Sequence, residues 1–431
     1  MAQNPLIDAP PKDIEPYWHD FSQAWQDKQT GRWWAFAGAG WRGRKQAPCS
    51  TCRTGAPVPL CSAPNGSFHT AGAWVCKPGD ELWVATNSTA GVPGNVFAPH
   101  PGPWGAAAFS CPEFYTLPPP MPSHMRVFEG LLDDGKDHYW AGQYDSQARR
   151  FDPSGYSPLK YNWGAANAGK SFWHVESGRR LLWQWLDPMG VGGSGGCHVD
   201  LTAAELSGTS ADPAGVILCP ATKHAWDGVM SVPQEVRWDD DTARLMITPA
   251  IEIDQLRKQQ LLASTVVLGK TKSKAALRTS SLVSMAHVDV VLQFNVSHSA
   301  AATDGNEDDT ATAVGLRLFE TVTIEIDLLN RVMCVNSTQK NVTAPLPLPQ
   351  LSAQQEVIDL RILVDGEQLE VFGLGGRANV ALRTRPDYNA SDALGTVFAR
   401  GLSEGGAAKV DVSAQMYSME TAYEDDEESR F

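Results

Sequence analysis

The C-terminal part of the chain alternates apolar and polar residues with the period of a β-strand. Three segments show this alternation most clearly: "HVDVVLQFNVS" (287–297), "VTIEIDLL" (322–329) and "VIDLRILVDGEQLEVFGLGG" (357–376). A period of two is typical of strands that bury one face against a core. Within the third segment, Asp365-Gly366 predicts a hairpin turn. We therefore predict that these strands pack as a β-sandwich.

The first half of the chain has a different pattern, made of short strands rich in aromatic residues. Gly, Pro, Asn and Asp separate these strands, as turns between short strands require. Repetition of such units predicts a propeller or a sandwich. The strands in question are "GRWWAFAGAGW" (31–41), "ELWVATN" (81–87), "DHYWAGQYD" (137–145) and "RRLLWQWLD" (179–187).

A shift in tryptophan content divides the chain into two domains. All fifteen Trp residues lie between Trp18 and Trp238, and 431 residues exceed what one ordinary core accommodates. The segment 248–262 places Ile253, Leu256 and Leu261 at roughly helical spacing and is predicted to connect the domains. The predicted organisation is a first domain at 1–247, this linker at 248–262, a sandwich at 263–418 and an acidic tail at 419–431.

Composition and charge exclude several classes of function. The formal net charge of −14 argues against nucleic acid as a partner, because binding phosphates requires clustered Lys and Arg. No apolar run approaches the roughly 20 residues that span a bilayer, and the N-terminus shows no signal-peptide pattern. Cys49, Cys52, Cys61 and Cys76 lack the second ligand pair of a zinc site, so disulfides or free thiols are the preferred interpretation.

Five blocks of the sequence, in order along the chain, resemble glycoside hydrolase family 32, the β-fructofuranosidases. The fourth and fifth resemble the family's Pro-Arg-Glu segment and its sandwich signature with Gly-Gly-Arg. The resemblance implies an all-β protein with a five-bladed β-propeller, its first blade missing here, followed by a C-terminal β-sandwich. The blocks are "WHDFSQAWQDKQTGRWWAFAGAG" (18–40), "FSCPEFY" (109–115), "GKSFWHVESGRRLLWQWL" (169–186), "AWDGVMSVPQEVRW" (225–238) and "LRILVDGEQLEVFGLGGRANVALRTRP" (360–386).

The resemblance also implies catalytic roles. A retaining glycosidase needs a carboxylate nucleophile and a carboxylic acid about 5–5.5 Å apart. Asp20 falls on the family's transition-state-stabilising Asp, and Ser110 falls on its acid/base Glu. A hydroxyl cannot replace a carboxylic acid as proton donor, so the substitution at Ser110 predicts weak catalysis. Glu113 falls on the family's Asp after Cys-Pro; we interpret it as a structural carboxylate, with a substitute acid as the less favoured alternative.

The family's nucleophile block, Asn-Asp-Pro-Asn, does not occur in this sequence. Only nineteen residues precede Asp20, and a propeller without its first blade would expose strand edges. The preferred interpretation is a truncated gene model or a fragment.

Three further residues fall on substrate-binding positions by the same resemblance or lie beside them. The stretch "LKYNWGAANAGKSF" (159–172) resembles the family's Asp-Tyr-Gly segment, and Asn162 replaces the Asp that binds the glucose unit of sucrose. An amide keeps a hydrogen bond but loses its charge-assisted part. Trp163 is a candidate for stacking on a sugar ring, although propeller Trp residues mostly fill space between blades. Asp187 is a candidate pocket residue that otherwise closes a turn.

The function implied by the resemblance is hydrolysis of β-fructosidic bonds of sucrose or fructans, with a β-fructoside as partner and no cofactor. The alternative is an inactive relative that binds carbohydrate or a protein partner. The family resemblance implies a vacuolar or extracellular location, and six Asn-X-Ser/Thr sequons agree with a secretory history. The sequons begin at Asn65, Asn87, Asn295, Asn336, Asn341 and Asn389.

Overall fold

A computed structural model describes part of the first domain and the greater part of the second. The described residues comprise four short strands between 17 and 40 and, from residue 110 onwards, the ranges 110–131, 136–145, 150–152, 159–186, 229–279, 286–297, 311–337, 340–347, 355–384, 393–402 and 408–420. For a few of these residues, Ser110–Pro112 among them, only the main chain is described.

The first domain contains two antiparallel sheets that pack face to face. In the first sheet the strands pair in the order β5-β6-β7-β8, with β9 also on β7; in the second the order is β10-β11-β13-β14, with β12 also on β11. Apolar residues that include Tyr115, Leu182 and Trp238 fill the space between the two sheets. The bounds are β5 Ser110–Tyr115, β6 Met125–Leu131, β7 Asp137–Asp145, β8 Arg150–Asp152, β9 Leu159–Lys160, β10 Ala166–His174, β11 Arg179–Leu186, β12 Val229–Met230, β13 Gln234–Asp239 and β14 Arg244–Pro249.

Two small strand pairs precede these sheets in the chain. They pair β1 with β4 and β2 with β3. Their bounds are β1 Tyr17–His19, β2 Trp25–Gln26, β3 Trp33–Trp34 and β4 Gly38–Gly40.

The second domain is a sandwich of two six-stranded antiparallel sheets. One sheet has the order β15-β26-β17-β22-β23-β24 and the other β16-β25-β18-β19-β20-β21. Their inward-facing residues form one continuous apolar core, with Leu292, Phe294 and Ile324 fully buried. The bounds are β15 Arg257–Leu268, β16 Lys274–Arg278, β17 His287–Ser297, β18 Ala313–Leu318, β19 Val322–Asp327, β20 Val332–Ser337, β21 Asn341–Pro345, β22 Gln355–Asp365, β23 Gln368–Gly373, β24 Ala378–Arg383, β25 Ala393–Arg400 and β26 Lys409–Met419.

These elements confirm the predicted fold class, an all-β protein with a C-terminal sandwich. Two blade-like sheets are described in the first domain, so the number of blades stays a prediction. The hairpin predicted at Asp365-Gly366 joins β22 to β23, with its turn at Gly366 and Glu367 because Asp365 still pairs with Gln368. Gly366 takes a positive φ of 55°, which explains a glycine there.

The segment predicted as a linker, 248–262, has a definite structure of its own. Its first residues end β14, a 3-10 helix covers Ile251–Leu256, and β15 begins at Arg257. The helical spacing in the sequence therefore corresponds to a short helix that leads directly into the sandwich. In the described part of the chain, no helix has the length and apolar character needed to cross a membrane.

The two domains are joined by main-chain hydrogen bonds between the segment just before β10 and strand β24. Trp163 donates to the carbonyl of Asn379 at 3.0 Å, and Ala165 donates to that of Ala381 at 2.6 Å. Arg377 forms a two-pronged ion pair with Asp239, at 2.6 and 3.0 Å. Burial opposes ionisation of Asp239, but the hydrogen bonds from Arg377 lower the pKa of its carboxyl. The junction is therefore a specific, hydrogen-bonded interface.

Glu370 on β23 lies buried in the same junction. One of its oxygens accepts hydrogen bonds from Val232 N–H at 2.8 Å and from the Gln368 amide, and the other accepts from the Gln234 amide at 3.0 Å. Burial raises the pKa of Glu370 to about 7, and the charge of Asp365 adds to the increase, while the three N–H donors counteract it. At mildly acidic pH this carboxyl is consequently protonated in the folded protein.

We expect the junction to lose stability as pH rises to neutrality. Because the pKa of Glu370 is about 7 when folded against an ordinary 4.5, its contribution is fully present below about pH 4.5 and is lost as pH rises to about 7. Linkage puts the loss at about 3 kcal/mol. Thermal unfolding between pH 4.5 and 8 measures it, with Glu370→Gln as reference. Identical pH profiles for the two proteins would contradict this interpretation.

Candidate active site

The main chain of Ser110 begins β5, and Glu113 lies further along the same strand. Ser110 pairs with Leu131 and Glu113 pairs with Glu129, with a bulge between the two pairs. A bulge changes the direction in which following side chains point. The side chain of Ser110 lies outside the described residues, as do Asp20 and Asp187 entirely.

Glu113 is a buried carboxylate held by three side chains. Ser171 on β10 donates its hydroxyl to Oε2 at 2.9 Å. The ammonium of Lys170 lies 3.7 Å from Oε1, and the guanidinium of Arg180 lies 3.6 Å from Oε2. Arg180 also donates to the Ser171 hydroxyl at 2.7 Å and lies over the ring of Tyr115. Two cations stabilise the negative charge of Glu113, as a structural carboxylate requires.

The strands bring Glu113 and Lys170 together from two separate sequence blocks. Glu113 belongs to "FSCPEFY", and Lys170 belongs to "LKYNWGAANAGKSF". The contact between β5 and β10 joins the two sheets of the first domain. The side chain of Lys170 is 36% exposed, whereas that of Glu113 is 2% exposed. The cluster thus reaches solvent through Lys170.

We expect replacement of Glu113 by Gln to destabilise the first domain. The change leaves Lys170 and Arg180 without their carboxylate, and breaking a buried ion pair from one side costs about 3–5 kcal/mol. Chemical denaturation measures the change in the free energy of unfolding. Glu176→Gln in the exposed β10–β11 turn is the matched control. Equal small losses in both variants would refute the structural role of Glu113.

A second group of buried acids, which the sequence analysis missed, lies beside Glu113. Glu129 on β6 is fully buried, and Tyr161 donates its hydroxyl to Oε2 at 2.6 Å. Tyr161 is in turn hydrogen-bonded to the hydroxyl of Tyr115. Burial raises the pKa of Glu129 well above its usual value, and the charges of Asp137 and Glu113 raise it further. Burial and the neighbouring acids therefore both favour the neutral form of Glu129.

Asp137, at the start of β7, is the second buried acid of this group, and its charge raises the pKa of Glu129 more than that of Glu113 does. Its Oδ2 accepts hydrogen bonds from Gly169 N–H at 2.8 Å and from the Gln184 amide at 3.0 Å. Burial raises its pKa, against the effect of these donors. A Cβ at position 169 would lie within about 3 Å of carboxylate oxygens of both acids. Glycine at this position therefore lets β10 pack directly over the two acids.

Asn162 and Trp163 occupy the domain junction. The Asn162 side-chain oxygen accepts hydrogen bonds from Gly164 N–H at 2.8 Å and from Ala381 N–H at 2.9 Å. Because both lone pairs of that oxygen are used, a sugar hydroxyl would have to meet the amide nitrogen of Asn162. Among the described contacts, none joins Asn162 to Glu113.

Trp163 lines a small cleft between the domains. The ammonium of Lys160 lies 5.2 Å from the centre of its ring, which occupies one face. Tyr139, Arg244 and Arg377 contribute to the same cleft. A sugar ring would therefore have to stack on the other face of Trp163.

Sequence comparison gives a family match within the second domain and longer matches to individual relatives. The family described as "Glycosyl hydrolases family 32 C terminal" matches residues 252–418. An acid β-fructofuranosidase 2, vacuolar, from Rosa hybrid cultivar is 23% identical over 305 residues, covering 60% of this chain and 42% of the relative. A fructan 6-exohydrolase from Beta vulgaris is 23% identical over 302 residues, covering 61% and 45%. The chain spans about half the length of the curated relatives it matches.

Solved structures match over nearly the whole chain. Fructan 1-exohydrolase IIa from Cichorium intybus has a TM-score of 0.58 at 18% identity, covering 98% of this chain and 75% of that one. Exo-inulinase from Aspergillus awamori has a TM-score of 0.60 at 16% identity, covering 98% and 71%. The fold is thus that of two-domain β-proteins with a propeller and a sandwich. Residues 252–418 carry the C-terminal domain of glycoside hydrolase family 32, and the chain as a whole is similar in sequence and fold to β-fructofuranosidases and fructan hydrolases.

Proposed function

We propose that this protein acts on β-fructosidic bonds, of sucrose or fructans, by a retaining mechanism. The observation that carries the proposal is the ion pair between Glu113 and Lys170, at 3.7 Å, which brings together the two blocks that resemble the family's catalytic and sugar-binding segments. Similarity to β-fructofuranosidases and fructan hydrolases supports the same activity. A structure of fructan 1-exohydrolase IIa in complex with 1-kestose suggests the class of ligand.

The proposed roles follow the resemblance residue by residue. Asp20 stabilises the charge that develops on the fructosyl ring, and Ser110 occupies the position of the proton donor. Asn162, Trp163 and Asp187 contact the sugar. A retaining hydrolysis uses carboxylates and water, so the proposal includes no cofactor. The nucleophile is the role for which this sequence has no matching Asn-Asp-Pro-Asn block.

The proposed rate is low, because Ser110 lacks the acidity of a carboxylic acid. General acid catalysis typically contributes about 10²–10⁴-fold to such a reaction. Glu113 is poorly suited to supply the missing proton, since Lys170 and Arg180 stabilise its charged form.

A second candidate function is carbohydrate binding without turnover. The engagement of Glu113 by two cations and by Ser171 favours it, because the one carboxylate of β5 is held by structural partners. A binding protein needs the aromatic and polar surface of the pocket but neither nucleophile nor acid.

Release of fructose from sucrose, 1-kestose and inulin by the purified protein tests the first proposal. Chromatography of the products at pH 5 and pH 7 measures it, with a heat-denatured sample as control. We expect slow release from at least one substrate. Binding of 1-kestose without release supports the second candidate, and absence of both contradicts the two proposals.

For the cellular location, we propose the vacuole or the extracellular space. The matched relatives include a vacuolar enzyme and an insoluble isoenzyme of β-fructofuranosidase. The locations of these relatives and the sequons of this chain together support the proposal.

A further inference from the structure

The hairpin of β20 and β21 carries two sequons on the outer face of the sandwich. The sequons are Asn336-Ser337-Thr338 and Asn341-Val342-Thr343. Asn336 and Asn341 are directly paired across the hairpin, and both are exposed. The neighbouring Val335 and Val342 point into the core. The outward direction of both asparagines is therefore set by the alternation of the two strands.

Asn341 lies on a strand at the edge of its sheet. The sheet order ends β19-β20-β21, so among the described strands β21 is paired on one side alone. Asn341 and Thr343 both face solvent, with buried Val342 between them. Proteins protect exposed strand edges with charged residues, proline or covering groups, because an open edge invites pairing with another chain. Lys340 and Pro345 lie at the two ends of this edge. The exposed side chains between them are those of Asn341 and Thr343.

Another sequon of the described part, at Asn295, has different surroundings. Asn295 lies in β17, which is paired with β22 on one side and with β26 on the other. Its strand partners are Val357 and Asp411, and its side chain is half-buried. A large sugar at this position would stand in the middle of a paired sheet. The structure therefore distinguishes the sequons by their place in the sheet.

We infer that Asn341 is an acceptor site for an N-linked oligosaccharide, which covers the outer face beside the open edge of β21. The donor is a lipid-linked oligosaccharide. The amide nitrogen of Asn341 forms a bond to C1 of the first sugar, the bond between C1 and the diphosphate oxygen breaks, and the lipid diphosphate leaves with the proton lost from the amide. The inference is independent of the proposed function.

One glycan per hairpin is expected. Directly opposed residues of an antiparallel pair have Cβ atoms about 4.5–5.5 Å apart. Two branched oligosaccharides on Asn336 and Asn341 would therefore compete for the same space in the folded domain. Asn341 is the assigned site because its Thr343 is exposed on the same face.

Peptide mass spectrometry tests the inference on the full chain, passed through the secretory pathway of a eukaryotic host. Enzymatic release of N-glycans in ¹⁸O water marks each modified Asn as a labelled Asp. We expect the label at Asn341 and none at Asn295. Thr343→Ala should remove one glycan from the intact mass, whereas Thr343→Ser, which keeps the sequon, should retain it.

Both Thr343 variants change an exposed side chain, so folding is expected to be preserved in each. Asn341→Gln removes the same acceptor site by a second route, and it should lose the same glycan mass as Thr343→Ala. An unlabelled Asn341 in the secreted protein overturns the inference, whether or not another sequon is modified. Equal glycan masses for Thr343→Ala and Thr343→Ser, each made with Asn336→Gln so that the opposite sequon cannot be modified instead, overturn it as well.

Discussion

Replacing Ser110 by Glu is expected to raise kcat/KM for a β-fructoside by about 10²–10⁴-fold, the contribution typical of a general acid. The reason is that a carboxylic acid at this point of β5 gives the leaving oxygen a proton donor of suitable strength, which a hydroxyl cannot provide. Initial rates of fructose release from 1-kestose, measured on the variant and on the original protein, check the result. The pH profile should also acquire a new limb at the pKa of the introduced carboxyl.

The control for this change is Ser110→Gln. Glutamine has nearly the size and shape of Glu but no proton to give, so it should leave the rate at or below that of the original protein. A rise with Glu alone assigns the gain to acid catalysis. No rise with Glu would mean that the pocket has lost more than its acid, and it would favour the binding function.

The second large effect is expected at the domain junction, for Gly164→Ala. An added Cβ at Gly164 would overlap the main-chain carbonyl of Ala381, which is fixed within β24. The nearby hydrogen bonds from Ala165 and Trp163 to β24 would have to lengthen or break. Forced overpacking costs about 1–3 kcal/mol, and the loss of buried hydrogen bonds adds to it, so we expect a loss of about 2–4 kcal/mol.

Denaturant unfolding followed by tryptophan fluorescence measures this loss, because all the Trp residues belong to the first domain. Gly269→Ala is the matched control, since a Cβ there would meet no atom within 4 Å and its backbone needs no positive φ. Similar stabilities for the two variants would contradict the tight junction at Gly164.

The sandwich could be predicted from sequence because its pattern is local. In β19, and in β17 from Leu292 to Ser297, each buried residue is followed by a more polar one at the period of a strand, and an all-β fold follows from such segments. The structure of the segment 248–262 is harder to predict, because helical spacing over a few residues does not distinguish a 3-10 helix from a longer helix. Only the structure shows that strand β15 begins at Arg257.

The acids of the candidate site could not be found in the same way. Glu129 lies in "MRVFEGL", where a polar residue between apolar ones normally faces solvent. It is buried because β10 packs over it through Gly169, a contact between residues 40 positions apart in sequence. Likewise the engagement of Asn162 by Ala381 depends on how the two domains meet. Such placements arise from packing between elements, which a local pattern does not contain.

Calorimetric titration with 1-kestose measures whether the protein recognises β-fructosides. Maltotriose, an α-glucoside of the same number of sugar units, serves as the control ligand, and the titration requires no catalytic turnover. We expect saturable binding of 1-kestose and none of maltotriose. Equal binding of the two sugars, or binding of neither, would contradict it.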